Sequence, residues 1–371
     1  MADEEGNLYG MGLGDVFMLS PQGDGSWQYT VLATAPTGSD RSPLIRDTAG
    51  NLYGTDASQV FEVVPNADRT VWTMHSLYTF CLATGCADGM FPKGGLSYAG
   101  SASGAPYDGT SPLYGTTFTG GAHGDGNRGG VVYRLTPAGG GAWQEASLYD
   151  FCAEDGCADG EGPEGGVVVD GSGNLIGTTS RGGTGHQFHS DGGAGTVFKL
   201  TRSGDTWTHG VLHHFCSDRR RHLCRDGETA HAGVVIDGAG NIFGTTHEGG
   251  KLQRGGAYRL TPDGSGGYAF STIEPFDAGS FTAMTMDAWG NLYGTTENGG
   301  AKGMGAVYRL SFDGTAWTTT ELYGFCARNR CQDGSNPAFS TVLLDAHGDL
   351  FGTTFVGGRH DGGTVFELVP Q

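Results

Sequence analysis

Eight cysteines fall into four local pairs: Cys81 with Cys86, Cys152 with Cys157, Cys216 with Cys224 and Cys326 with Cys331. A Phe precedes the first Cys of each pair, and x-Asp-Gly follows the second, placing Asp88, Asp159, Asp226 and Asp333 at one equivalent position. An even count in local pairs is the pattern of disulfides formed in an oxidising compartment. Zinc would need four converging ligands, and free thiols are the third reading. As bridges, each closes a short loop, which loop-closure entropy values at about 2 kcal/mol. Such bridges are expected to hold local loop shape rather than to hold blades together.

Histidine near a carboxylate is a common acid–base pair. The candidate catalytic groups are His186, His189, His247, His360, Glu248 and Glu297, with Arg181, Asp191, Arg254, Arg359 and Asp361 as candidate binding groups. Solvated loop residues with no common focus are the alternative. The spacing His186-x-x-His189 occurs in metal sites but lacks a third fixed ligand, so no metal site is assigned there. A recurring Asp-x-x-Gly-Asn turn offers one Asp where calcium takes 6–8 oxygens. Hairpin chemistry explains it more simply, calcium stays as a secondary reading, and no other cofactor is expected. The Gly-Gly pairs precede no helix, so a phosphate-binding loop is not supported.

The elements that carry these residues must be strands. Of 371 residues 70 are Gly and only 16% are charged, against roughly 7% and 25% in ordinary chains. Gly at this density breaks helices, while 19 Phe, 14 Tyr and 6 Trp are too many for a chain without a core. The formal net charge is −19. One short basic run, Arg219 to Arg225, does not make the stripe a nucleic-acid binder needs, so no nucleic-acid partner is expected. No run of 18 apolar residues exists, so no membrane insertion is expected. No signal-peptide pattern follows Met1.

Gly-Asn-Leu-Tyr-Gly and close variants occur seven times, ending at Gly10, Gly54, Gly115, Gly177, Gly244, Gly294 and Gly352, with spacings of 44 to 67 residues. A short apolar run ending in Asp precedes each copy except the first (strand A). The copy itself opens strand B. A Gly-rich loop then leads to strand C, as in Thr196–Leu200, and a turn leads to strand D, as in Trp143–Phe151. Leu52 and Tyr53 alternate in direction along their strand, yet both are large and apolar. A strand apolar on both faces must be covered on both. Sheets stacked in a circle satisfy all of them, and 1–371 is expected to be one seven-bladed β-propeller of four-stranded antiparallel blades. The terminal repeats are cut, giving seven B, seven C, six A and six D strands, so the end blades are incomplete. Trp72, Trp143, Trp207 and Trp317 share one blade position and read as packing residues, whereas Trp289 falls in an A–B turn and is expected to be exposed.

The order Gly-Asn-Leu-Tyr-Gly-Thr-Thr, Gly-Gly loop, Val-Phe-x-Leu-x-Pro, then Phe-Cys…Cys-x-Asp-Gly resembles the GloVer-type tandem repeats of bacterial choice-of-anchor surface proteins. The Val-x-x-Asp-x-x-Gly-Asn-Leu-Tyr core is also similar to NHL-type propeller repeats. The resemblance implies an exported or cell-surface bacterial protein and no particular reaction; this chain shows no anchor.

In an up-and-down blade the D–A and B–C connections share one face. That face carries the cystine loops, the long Gly-rich loops and the candidate residues, with His222 and His231 from a D–A connection. The expected function is an exported binding or surface-interaction module whose ligand is a glycan or another small extracellular molecule. The alternative is a carbohydrate-active lyase or hydrolase with a His/carboxylate funnel. A lectin-like site should repeat across blades. An enzyme should hold one asymmetric pair at hydrogen-bond distance. Oligomeric state is not legible.

Overall fold

The computed structural model describes residues 1–12, 14–37, 42–124, 127–185, 192–217, 219–220, 223–273, 279–337, 341–345 and 347–369. Strand B recurs seven times: Leu8–Gly12, Leu52–Thr55, Leu113–Thr117, Leu175–Thr179, Ile242–Thr246, Leu292–Thr296 and Leu350–Thr354. Each pairs with its own strand C, and the described sheets are antiparallel ladders. Among the described residues, four blade sheets run in the order A-B-C-D, three are three-stranded, and Arg219–Arg220 pairs with Leu223–Cys224 in a separate two-stranded ladder.

The three-stranded sheets have separate causes. In the first, Met1 and Ala2 stand in for strand A, through an Ala2–Leu8 bridge and a Tyr9 N–H donated to the Met1 carbonyl. In the third, strand A shrinks to a Ser97–Tyr114 bridge. There the five-residue Asp-x-x-Gly-Asn turn is replaced by an excursion through Tyr98–Pro112 that buries Tyr107. The last sheet has strands A, B and C. The sequence expectation of six A strands is thus corrected to five strands and two bridges.

Strand B is buried along its length in the third, fourth and fifth sheets, as its two-sided apolar pattern requires. Its glycine has a steric cause. The third residue of strand C lays its ring across that position, so a methyl at Gly115 or Gly244 would overlap the phenol of Tyr133 or Tyr258.

The contacts divide the chain into two compact units, Met1–Gly177 with Lys199–Gly210, and Thr178–Phe198 with Val211–Gln371. In the first, Tyr9, Leu44, Leu52 and Phe61 fill the space between sheets one and two, and Tyr53, Leu96, Tyr107 and Tyr133 that between two and three. In the second, Phe243, Met284, Leu292 and Tyr308 pack sheets five and six, and Val307, Phe325, Val342 and Leu350 pack six and seven. Within each unit, sheet packs on sheet as the repeat demands. Trp289 is 86% exposed, and the four equivalent tryptophans are half-buried.

Candidate functional site

The repeated polar residues first resolve into structure. In the Asp-x-x-Gly-Asn turn, Asp47 Oδ1 accepts from the Ala49 and Asn51 N–H groups at 2.9 and 2.8 Å, and Oδ2 from Asn51 Nδ2 at 2.9 Å. Asp170, Asp237 and Asp287 repeat this. These carboxylates are engaged by N–H donors.

All eight cysteines form the expected disulfides, Cys81–Cys86, Cys152–Cys157, Cys216–Cys224 and Cys326–Cys331. The two three-residue groups spaced to hold a metal among the described residues are Cys152, Cys157 and Glu161, and Cys216, Cys224 and Glu228. Each contains a disulfide, so its sulfurs are not thiolate ligands. The four bridges are not equally placed. Cys157, Cys216 and Cys224 are buried, whereas Cys86 and Cys331 are only half-buried and Cys81 is exposed. Cys86, Cys157 and Cys331 each end a short 3-10 turn, Thr84–Cys86, Asp155–Cys157 and Asn329–Cys331.

The Asp after the second Cys ties the loop to strand D. It accepts the hydroxyl of Tyr78, Tyr149 or Tyr323 at 3.0, 2.8 and 2.7 Å, and N–H groups that follow the first Cys. In the third copy His213 replaces Tyr, with Nε2 3.0 Å from Asp226 and its ring stacked on Phe270 at 3.8 Å. Burial pushes the Asp226 carboxyl up, but hydrogen bonds from His213 and Ser217 outweigh it and hold the group below its usual range.

While the bridges themselves are local, the backbone of the cystine loops also reaches the next blade. The Cys86 carbonyl accepts the Gly121 N–H of the next blade's B–C loop at 3.0 Å, the Cys224 carbonyl that of Gly250 at 2.8 Å, and the Cys331 carbonyl that of Gly358 at 2.9 Å. The physical reason is that the second cysteine faces the neighbouring loop, so its backbone carbonyl reaches across while its sulfur stays within the local bridge. A short backbone ladder accompanies each of these links, at Met90–Thr119, Glu228–Glu248 and Ser335–Val356. Glu228 and Glu248 exchange N–H···O bonds at 3.0 and 3.1 Å, and the His247 N–H is donated to the Thr229 carbonyl at 3.0 Å.

His247 follows strand B of the fifth blade directly, and Glu297 takes the same place in the sixth. Their side chains meet: His247 Nε2 lies 2.9 Å from Glu297 Oε2. Glu248 Oε1 is 3.9 Å from His247 Nδ1.

A second repeat position completes the site. The segments Lys93-Gly-Gly-Leu-Ser97, Glu164-Gly-Gly-Val-Val168, His231-Ala-Gly-Val-Val235 and Phe281-Thr-Ala-Met-Thr285 correspond, so Lys93, Glu164, His231 and Phe281 are equivalent. In the second unit the Phe281 ring packs 3.9 Å from the His247 ring and 5.0 Å from that of His231, which lies 5.8 Å from His247. In the first unit the same positions bring Lys93 Nζ to 4.0 Å from the Phe118 ring centroid and 4.0 Å from Glu164 Oε2. One position per blade thus varies freely while its backbone stays fixed. Phe281 escaped the sequence reading because it looks like an ordinary apolar residue; alignment of the segments before strand A was the signal.

Of the sequence candidates, the structure brings His247, Glu297 and Glu248 together. His186, His189, Asp191 and His222 lie outside the described residues. Arg181 is half-buried, its carbonyl accepting from Thr179 Oγ1 at 2.9 Å. Arg254, Arg359, His360 and Asp361 are exposed. Asp361 closes its own loop by accepting from the Gly357 N–H at 3.0 Å. Among the described residues, Arg254, Arg359 and His360 pair with neither His247 nor Glu297.

One further acid stands out in the first unit. Glu145, on strand D of the third blade, has a buried Oε1 with no hydrogen-bond partner. Burial, then the Asp88 and Asp150 carboxylates, push its carboxyl up to about 7.

These blades and loops define an all-β propeller protein with polar, aromatic-lined B–C and D–A loops. The chain belongs to the Gloeobacter/Verrucomicrobia repeat family, whose model matches residues 97–282. No curated protein matches the sequence. Among solved structures, virginiamycin B lyase from Staphylococcus aureus is similar over 100% of this chain and 94% of its own, at 13% identity and a TM-score of 0.56. A copper-bound fungal alcohol oxidase of the AA5 family is similar over 99% of this chain and 72% of its own, at 15% identity and a TM-score of 0.53. A Lactobacillus plantarum protein is similar over 97% and 90%, at 13% identity and a TM-score of 0.52. At such identities the likeness is one of fold.

Proposed function

We propose that this protein is an exported propeller module that binds a hydroxyl-rich extracellular ligand, a glycan, at the loop end of the fifth and sixth blades. Four disulfides fit an oxidising environment, and no helix among the described residues is long and apolar enough to cross a membrane. The observation that carries the reading is the convergence of Phe281, His231, His247 and Glu297. It sets aromatic surface, which packs against sugar C–H groups, beside fixed hydrogen-bonding groups.

A second reading is favoured by one distance. His247 Nε2 lies 2.9 Å from Glu297, and in the tautomer that donates Nε2–H to this carboxylate Nδ1 is left as a base. Glu297 would orient the ring and stabilise the imidazolium. The site is asymmetric, since the equivalent positions elsewhere carry Phe118, Ser180 and Phe355. That is the pattern of an acid–base enzyme acting on a polysaccharide rather than of a repeated lectin site.

A glycan-binding screen run with a polysaccharide-degradation assay tests both. Binding that His247→Ala and Glu297→Gln weaken supports the first reading. Turnover lost in His247→Ala supports the second. Binding and turnover both untouched by either substitution place the ligand elsewhere and refute both.

A further inference from the structure

The second Thr of each Gly-Thr-Thr is normally satisfied by the start of strand C. Thr117 Oγ1 accepts from the Val131 N–H at 3.1 Å, Thr179 from Thr196 at 3.0 Å, Thr296 from Ala306 at 3.2 Å and Thr354 from Thr364 at 3.0 Å. Thr179 and Thr354 also pair with the facing Thr hydroxyl, both at 2.9 Å. The fifth blade departs from this. Gly256 begins its strand C, and Thr246 Oγ1 is buried with no hydrogen-bond partner.

Beside that missing side chain lies a small, half-open recess. Thr246 Oγ1 points into it between two lining glycines, 4.0 Å from where a Cβ on Gly256 would stand and 2.5 Å from one on Gly227. Tyr258, whose hydroxyl is also buried and unpartnered, forms part of the wall, and burial keeps that phenol protonated. Ile273 supplies apolar surface, Asp226 a carboxylate, and Arg225 and Lys251 cations. A buried unpaired hydroxyl costs about 1–3 kcal/mol, so the recess favours an occupant that satisfies it.

The lining decides the class of occupant. An anion would meet Asp226, and a cation would meet Arg225 and Lys251. A neutral hydroxyl both donates and accepts, so it can serve Thr246 and the charged groups together, with its carbon skeleton against Ile273 and the Tyr258 wall. We propose that this recess is a second binding site, separate from the His247–Glu297 cluster, for a neutral polyol or a hydroxyl-bearing arm of a sugar.

The test is an amide NMR titration of the intact chain with glycerol and a panel of neutral hexoses, with acetate and ammonium as charged probes. Saturable shifts of Gly227, Gly250 and Gly256 with a neutral polyol are expected. Gly256→Thr restores the residue of the fourth and seventh blades, and its Cβ meets only Thr246 Oγ1; it should abolish the shifts. Thr246→Val keeps the shape without the hydroxyl and should weaken binding about fivefold. No saturable shift with any neutral polyol overturns the proposal, as does undiminished binding by Gly256→Thr or stronger binding of a charged probe. The readout is local to the recess, so it stands or falls independently of the glycan reading at His247.

Discussion

Replacing Glu145 with Gln should stabilise the protein at high pH and not at low pH. The Glu145 carboxyl, ordinarily at 4.5, is raised to about 7 by burial and then by Asp88 and Asp150. Between those values the folded chain binds more protons at this site than the unfolded chain. Its stability therefore falls as pH rises through the window. The interval corresponds to about 3 kcal/mol at 1.36 kcal/mol per pH unit. Solvent reaching the half-buried group reduces this to about 1–2 kcal/mol. Gln removes the charge and leaves the shape. Any cost of burying its amide is the same at both pH values, so the difference between them isolates the charge. Urea denaturation of wild type and Glu145→Gln at pH 4.5 and pH 8, followed by tryptophan fluorescence, should show the variant gaining about 1–2 kcal/mol at pH 8 relative to pH 4.5. An equal effect at both values, or a relative loss at pH 8, refutes the reasoning.

Two further outcomes are expected by the same denaturation assay. Asp159 is fully buried and accepts from the Tyr149 hydroxyl and from the Ala153 and Glu154 N–H groups, so Asp159→Ala should cost about 3–4 kcal/mol. The equivalent but half-exposed Asp333 should cost about 1–2 kcal/mol when replaced by Ala, because water can satisfy the donors it leaves. Gly115→Ala drives a methyl into the Tyr133 phenol and should cost about 2–4 kcal/mol, whereas Gly171→Ala, which meets nothing in its turn, should change stability by under about 1 kcal/mol.

Much of the fold is legible because its signals are local and repeated. Leu-Tyr-Gly-Thr-Thr announces a strand buried on both faces, and the cysteine pairs lie too close in sequence for other partners to compete. What the pairs do not announce is the reach of the Cys86 and Cys331 carbonyls into the next blade, because a backbone acceptor leaves no mark in residue type. The short strand A of the third blade is not legible either, because Gly94–Ser97 reads like its counterparts and only the long excursion after it removes the turn. The site is half legible. His247 and Glu297 carry polar chemistry after strand B and stand out. Phe281 is one aromatic among many, and its role appears only when the connections before strand A are superposed. The Thr246 recess depends on a glycine where every other repeat has a side chain (Asp15, Gln59, Val131, Thr196, Ala306 and Thr364), an absence that matters only once the facing hydroxyl is located. The exposure of Arg254, Arg359 and His360 reflects loops whose lengths differ from blade to blade, which repeat spacing does not determine.

The account rests on the convergence of two variable repeat positions into one ligand site. Its most direct test is a crystal structure with the best-binding glycan soaked in. Density for a sugar ring against Phe281, within hydrogen-bond distance of His247 or Glu297, is the predicted result. Sugar density confined to the A–B turns around Trp289, with the His247–Glu297 cluster bare, would contradict it.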